Sequence, residues 1–186
     1  FSDRKYEALR DYSSSMSALF PDNNALKKFL GIARLELGDR ISGAGLILEG
    51  MEEPEEDESL YHRAISVFFE EGLYHNIIAE LEKNPPGADP VLHYFMGVSF
   101  YHTGNYRRSL SHLKKSEDRG NTSPEMYYYT GLCHEHMNEV KQAIGSMEES
   151  FRLDRYAPKT REALVRLYGK TGDYARAERI VRMKRY

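Results

Sequence analysis

The sequence predicts an all-α fold, an array of antiparallel helix pairs stacked one on the next, and three observations carry that prediction. Pro90, Pro124 and Pro158 stand 34 residues apart, Gly97 and Gly131 keep the same interval, and Gly38 and Gly72 keep it further upstream. Thr103-Gly104-Asn105-Tyr106 returns as Thr171-Gly172-Asp173-Tyr174 after 68 residues, two full periods. Between the prolines apolar residues recur at three- and four-residue spacing: Val91, Tyr94, Phe95, Val98 and Tyr101, then Ala143, Met147 and Phe151. A fixed period of this length marks repeats that each form one helix pair and bury an apolar face against their neighbours. No stretch shows sustained strand alternation bounded by hairpin turns.

Each element follows from local signals. An opening helix spans about 2–18, and helix pairs follow over about 22–51, 57–83, 90–117, 124–153 and 158–185. All seven prolines (Pro21, Pro54, Pro85, Pro86, Pro90, Pro124 and Pro158) fall where helices start or stop, because proline fits a first helical turn and breaks an interior. Asp89 and Ser123 each precede a proline, the expected N-cap. Every pair closes on a short turn carrying Gly or Asn: Gly38-Asp39, Gly72-Leu73, Gly104-Asn105, Asn138-Glu139 and Gly172-Asp173. Glu52-Glu53-Pro54-Glu55-Glu56-Asp57-Glu58 reads as a solvated acidic connector that feeds negative charge into a helix N-terminus. Asn84-Pro85-Pro86-Gly87-Ala88 is a second connector. The interval from Gly72 to Gly104 is 32 rather than 34, so the phase slips there and less regular stacking is expected.

The chain's 186 residues suffice for one globular body or about five repeats. With 40% hydrophobic residues and no apolar run near bilayer length, a soluble protein is expected, and no charged-then-apolar leader points to secretion. The lone Cys133 forms no internal disulfide, consistent with a reducing compartment, so an intracellular location in cytoplasm or nucleus is expected. Charge is uneven: residues 1–93 hold 9 Lys/Arg against 18 Asp/Glu, and residues 94–186 hold 17 against 11. Such a chain either binds acidic partners, binds itself head to tail, or simply presents two solvated surfaces. The basic excess is modest and no nucleic-acid motif accompanies it, so neither nucleic acid nor membrane is an expected partner.

Little here suggests catalysis. Cys133-His134-Glu135-His136 places Cys133 and His136 on one predicted helix face, with His102 or His136 as a base for the thiol. No CxxC or HExxH pattern supplies further metal ligands, and no phosphate loop or Gly-flanked serine appears. The reading is a non-enzyme without cofactor or metal, in which Cys133 is a small buried thiol.

The repeats resemble the tetratricopeptide family, whose pattern is aromatic-x2-Leu-Gly-x2-Tyr followed by Ala-x3-Phe. His93-x2-Met96-Gly97-x2-Phe100 is followed by Ser109-x3-Leu113, and Tyr127-x2-Thr130-Gly131-x2-His134 by Ala143-x3-Met147. Arg161-x2-Leu164-Val165-x2-Tyr168, where Val165 replaces the glycine, is followed by Ala177-x3-Val181. The resemblance implies a right-handed superhelical solenoid over 1–186: an orphan outer helix at 1–20, degenerate repeats at 22–51 and 57–83, and clearer repeats at 90–123, 124–157 and 158–186. Lys5, Tyr6, Ala8, Leu9 and Tyr12 look like the second helix of an incomplete repeat, and the sequence ends inside the last pair. A longer array, or ends covered by a partner, is therefore expected.

In this family the first helix of each pair faces a groove that binds other proteins. The resemblance then assigns Tyr94, Phe95, Val98, Tyr101 and His102 to the groove, with Tyr128, Tyr129, Leu132, Glu135 and His136 from the next repeat, Glu162, Arg166 and Lys170 from the last, and Lys28, Phe29, Ile32 and Leu35 from the first full pair. Val98 and Leu132 occupy sites where carboxylate-clamping members carry asparagine, so that clamp is absent mid-groove. The adjacent aromatics Tyr94-Phe95, Phe100-Tyr101 and Tyr128-Tyr129 lie about 100° apart on a helix, so some must face outward. Tyr6-Glu7-Ala8, Leu46-Ile47-Leu48-Glu49-Gly50 and Leu153-Asp154-Arg155-Tyr156 are similar to tetratricopeptide subunits of the anaphase-promoting complex, a cell-cycle ubiquitin ligase. There N-terminal repeats form homodimers. That implies a non-catalytic, self-associating scaffold, with Tyr6, Leu9, Tyr12, Phe29, Ile32 and Leu35 as dimerisation candidates. The alternative is a chaperone or adaptor that takes an extended or helical peptide in the aromatic groove.

Overall fold

The computed structural model describes residues 2–183; the expected helical residues 184–185 and Tyr186 lie outside them. Among the described residues there are eleven α-helices and no strand. They are α1 (Ser2–Leu19), α2 (Asn24–Glu36), α3 (Arg40–Glu49), α4 (Glu58–Glu70), α5 (Tyr74–Lys83), α6 (Pro90–His102), α7 (Tyr106–Asp118), α8 (Pro124–His136), α9 (Val140–Leu153), α10 (Pro158–Thr171) and α11 (Tyr174–Arg182). The five expected pairs are α2/α3, α4/α5, α6/α7, α8/α9 and α10/α11. The acidic connector is not simply a loop, because Pro54–Asp57 forms one 3-10 turn before α4. Asp57 then caps that helix by accepting the Leu60 amide at 3.0 Å.

The caps follow the sequence signals. Asp89 accepts from the amides of Val91 at 2.7 Å and Leu92 at 2.9 Å, and Ser123 accepts from Met126 at 3.2 Å. Both occupy extended backbone directly before a proline at the helix start, where the proline sacrifices no hydrogen bond. Five turns are closed by a residue with positive φ: Gly38 at 93°, Gly72 at 70°, Gly104 at 80°, Asn138 at 61° and Gly172 at 75°. Asn138 stands in for glycine because asparagine tolerates the left-handed region better than other side chains.

The helices group into two compact units, one ending at Pro85 and the other beginning at Pro86, so the division falls inside the proline-rich connector. In the first unit α1 packs on α2, α2 on α3, and α3 on α4. The α1 face toward α2 is thinly apolar: Ser13 is its one fully buried residue among those described, and Tyr6 and Leu9 are half-buried. In the second unit α6 pairs with α7, α8 with α9 and α10 with α11, while α7 and α9 bridge to the next pair.

Within a pair, the small residue of the first helix admits a large one from the second. A Cβ on Gly97 would lie 2.8 Å from the Leu113 side chain, and one on Gly131 would lie 2.9 Å from Met147. Leu113 and Met147 are completely buried, as is Leu164 of the last pair. Met147 belongs to a core with Ala143, Ala163, Leu164, Leu167, Tyr168 and Ile180. In α11 the register differs by one from the expected pattern: Ile180 is buried and Val181 is exposed. The α11 helix therefore turns Ile180, not Val181, onto α10. No described helix is long and apolar enough to cross a membrane.

Candidate functional site

In the second unit, the first helices of successive pairs present residues separated by one repeat on a common face. The α6 helix packs directly on α8. Of the neighbours Phe100 and Tyr101, the first enters the core at 2% exposure and the second is only half-buried on the open side. Tyr101 meets Tyr129 edge to face with ring centroids 5.3 Å apart. Its hydroxyl lies 3.4 Å from His136 Nε2, and the Tyr129 hydroxyl lies 3.5 Å from His102 Nε2. Tyr128 continues the chain of rings at 5.7 Å from Tyr129. Each aromatic is thus held by other aromatics, which limits the rotamer freedom lost when a partner docks.

One member of this network was not assigned from the sequence. Tyr106, at the start of the second helix α7, stacks on His136 with centroids 4.5 Å apart and planes 7° off parallel. Only its recurrence after the turn, as Tyr74 and Tyr174, hinted at it. The groove assignment, drawn from first helices alone, could not reach it.

The far edge of the face is charged. Glu135 of α8 accepts two hydrogen bonds from Arg166 of α10, at 3.0 and 2.6 Å, and a third from Lys170 at 2.6 Å. Arg166 and Lys170 are about half exposed, whereas the Glu135 side chain is only 12% exposed. Hydrogen bonding to Arg166, then to Lys170, holds the Glu135 carboxyl down at about 2 against the opposing effect of burial. Burial pushes the Tyr101 phenol up to about 12, so it remains a neutral donor. Burial, reinforced by the Lys159 charge, holds His102 below its ordinary value.

A carboxyl whose folded pKa is depressed adds stability above its ordinary value of 4.5 and loses that contribution as pH falls toward about 2. Glu135→Gln is therefore expected to cost about 1–2 kcal/mol at neutral pH, discounted because both cations are solvated. The difference from the parent should shrink as pH falls from about 4.5 through about 2. Urea titrations of both proteins across that range check it; an unchanged difference at low pH would contradict the ion-pair account.

Not every assigned groove residue reaches this face. Val98 is fully buried, so its side chain is covered by packed neighbours and does not line the open face. Leu132 and Tyr128 are half-buried and pack partly on the core around Leu164. Tyr94 and Phe95 are half-buried and touch each other at 5.9 Å. Glu162 and the charged ends of Arg166 and Lys170 are exposed. In the first unit Phe29 is 50% and Tyr12 60% exposed, Tyr6, Leu9 and Ile32 are half-buried, and Leu35 is buried at 7%. Leu35 is therefore core, since it lies on the side of α2 that packs on α3.

The Cys133-His134-Glu135-His136 run does not converge on one site. Cys133 is buried and donates to Ser109 Oγ at 3.1 Å, His134 pairs with Glu139 at 2.7 Å, and His136 turns to Tyr101 and Tyr106. Burial pushes the thiol up to about 11, opposite to the shift a nucleophilic thiolate requires.

No family model matches the chain, and no curated protein matches it in sequence. Solved structures do match in fold. A structure of MamA protein superposes with a TM-score of 0.72 at 14% identity, covering 87% of this chain and 89% of that one. A MamA structure from Desulfovibrio magneticus RS-1 gives 0.68 at 16% identity, covering 86% and 92%. BtubC from P. vanneervenii gives 0.59 at 14% identity, covering 96% and 86%. The fold class is thus the TPR-like helical solenoid expected from the sequence; at these identities the likeness is one of fold.

Proposed function

We propose that this protein is a non-catalytic interaction scaffold, and that the α6–α8–α10 face receives a segment of a partner protein. The observation that carries the reading is the aromatic network of Tyr101, Tyr106, Tyr129 and His136. These rings contact one another on an open face instead of filling the core, and are prearranged where a partner can cover them. Aromatic clusters of this kind are the usual anchors of protein interfaces. Tyr129→Ala is expected to weaken partner binding by about 2 kcal/mol while leaving the melting temperature nearly unchanged, since the ring rests on groove side chains. Titration calorimetry against a captured partner, beside a thermal melt, checks both halves; equal affinity for the two proteins would remove the groove from the proposal.

Self-association through the first unit is the second reading, supported by the exposure of Tyr12, Leu19, Phe20 and Phe29. The homodimer inferred from the sequence would use these residues with Tyr6, Leu9 and Ile32. Tyr12→Ser combined with Phe29→Ser should then convert a dimer to a monomer at tens of micromolar in light scattering. Membership of a large assembly such as the anaphase-promoting complex is the narrowest form of the scaffold reading, and it rests on the three short sequence matches alone. An intracellular setting, cytoplasmic or nuclear, accords with one buried reduced cysteine.

A further inference from the structure

Buried hydroxyls in the second unit find acceptors close by. Ser99 donates to the Phe95 carbonyl at 2.7 Å, Ser109 to the Gly97 carbonyl at 2.7 Å and Ser116 to the Pro90 carbonyl at 2.6 Å. Ser150 and Thr160 bond each other at 3.0 Å. Two hydroxyls of α1 break this rule. Ser13 is completely buried and Ser17 Oγ is closed off from solvent, yet neither has a hydrogen-bond partner. Ser15, on the exposed side of the same helix, does donate to the Asp11 carbonyl at 2.8 Å.

The rest of the α1 contact is equally thin. Tyr6, Leu9, Ser13, Met16 and Ser17 recur at helical spacing and form its less exposed side, and the helix packs on α2. No described apolar side chain of α1 belongs to the buried core, whereas each of the other ten helices contributes at least one.

A buried hydroxyl without a partner weakens the association that hides it by about tenfold or more, so two of them cost α1 about a hundredfold. We propose that α1 is a placeholder on α2, displaced by an amphipathic helix of a partner protein that carries alanine or another small apolar residue where α1 has Ser13 and Ser17. The incoming helix keeps large apolar residues at the positions of Tyr6, Leu9 and Met16. Residues 20–23 tether α1 to its seat, which is equivalent to an effective concentration of about a millimolar. A fit about a hundredfold better offsets that advantage for a partner at tens of micromolar. This assignment uses the first unit alone and does not depend on the aromatic face of the second.

Hydrogen exchange read by mass spectrometry on the whole chain tests the resident helix. Residues 2–19 should exchange at least about tenfold faster than α2. Ser13→Ala combined with Ser17→Ala should slow that exchange by about tenfold or more. Equal protection of α1 and α2 in the parent overturns the proposal.

Fluorescence polarisation tests the incoming helix, with labelled synthetic peptides of the α1 sequence. One carries Ser13→Ala and Ser17→Ala, and a second is unchanged. A third carries Ser14→Ala and Ser15→Ala at exposed positions, which adds the same helix propensity without touching the seat. The first peptide should bind the parent at tens of micromolar, at least about tenfold more tightly than either of the others. The protein that itself carries Ser13→Ala and Ser17→Ala should bind that peptide about tenfold less well, because its own helix no longer yields. Equal binding of the three peptides overturns the proposal, as does a first peptide that fails to bind at several hundred micromolar.

Discussion

Gly43→Ala is expected to destabilise the first unit by about 2 kcal/mol, although alanine is the better helix former by about 1 kcal/mol. Helices α2 and α3 touch backbone to backbone at Gly31 and Gly43. A Cβ on Gly43 would lie 2.6 Å from the Leu35 amide nitrogen and 2.7 Å from the Gly31 carbonyl oxygen. Neither atom can rotate aside as a side chain would, so the two helices must separate. Separation loosens contacts along the pair, including those of Ala33, Ala44 and Ile47, which are fully buried. Gly45 is the internal control. It lies two residues on in the same helix, and a Cβ there meets nothing within 4 Å. Gly45→Ala should be neutral or stabilise by up to about 1 kcal/mol. Urea denaturation of the two variants beside the parent reads both effects. A similar response from the two glycines would refute the claim that close approach, and not helix propensity, selects glycine at 43.

Leu113→Ala should cost about 3 kcal/mol, the usual loss for a fully buried leucine whose site cannot collapse. The vacated space has a known shape, since Leu113 Cγ and Cδ2 both lie 2.8 Å from where a Gly97 Cβ would sit. Gly97→Ala alone should also destabilise, because the new methyl group overlaps that side chain. Combined, the two changes should partly compensate, the alanine methyl at 97 entering the cavity left at 113. Recovery of about 1 kcal/mol relative to additivity is expected, incomplete because the Leu113 amide remains 3.2 Å from the new methyl. A double-mutant cycle by chemical denaturation measures the coupling. Strict additivity would mean that the two positions do not share one space.

Much of the architecture was legible because its signals are local. Proline placement, the Asp89 and Ser123 caps and the residues of the five turns each act within a few positions of their own backbone. The 34-residue period repeated them often enough to be read. Val98 and Leu35 were misplaced for the opposite reason. A family offset locates a helix face only to within about one residue, or 100° of rotation, and both residues are buried. Val181 and Ile180 exchanged roles through the same one-residue uncertainty. The outward-facing aromatics were foreseen as a class from adjacent pairs such as Phe100-Tyr101, yet which ring of each pair turns outward depends on the neighbouring helix. Tyr106 was missed because its stacking partner, His136, lies in the next helix pair, on α8.

By itself the sequence determined that this is an all-α array of helix pairs, where each pair starts and turns, and that its two halves carry opposite charge. These properties come from backbone chemistry and composition, which need no knowledge of what packs on what. Tertiary structure alone decided that Tyr101, Tyr106, Tyr129 and His136 form one network, and that Glu135 joins α8 to α10 through Arg166 and Lys170. It also separated the members of the Cys133–His136 run into unrelated contacts. The physical reason is that each of these contacts spans the gap between helices, where orientation is set by packed volume.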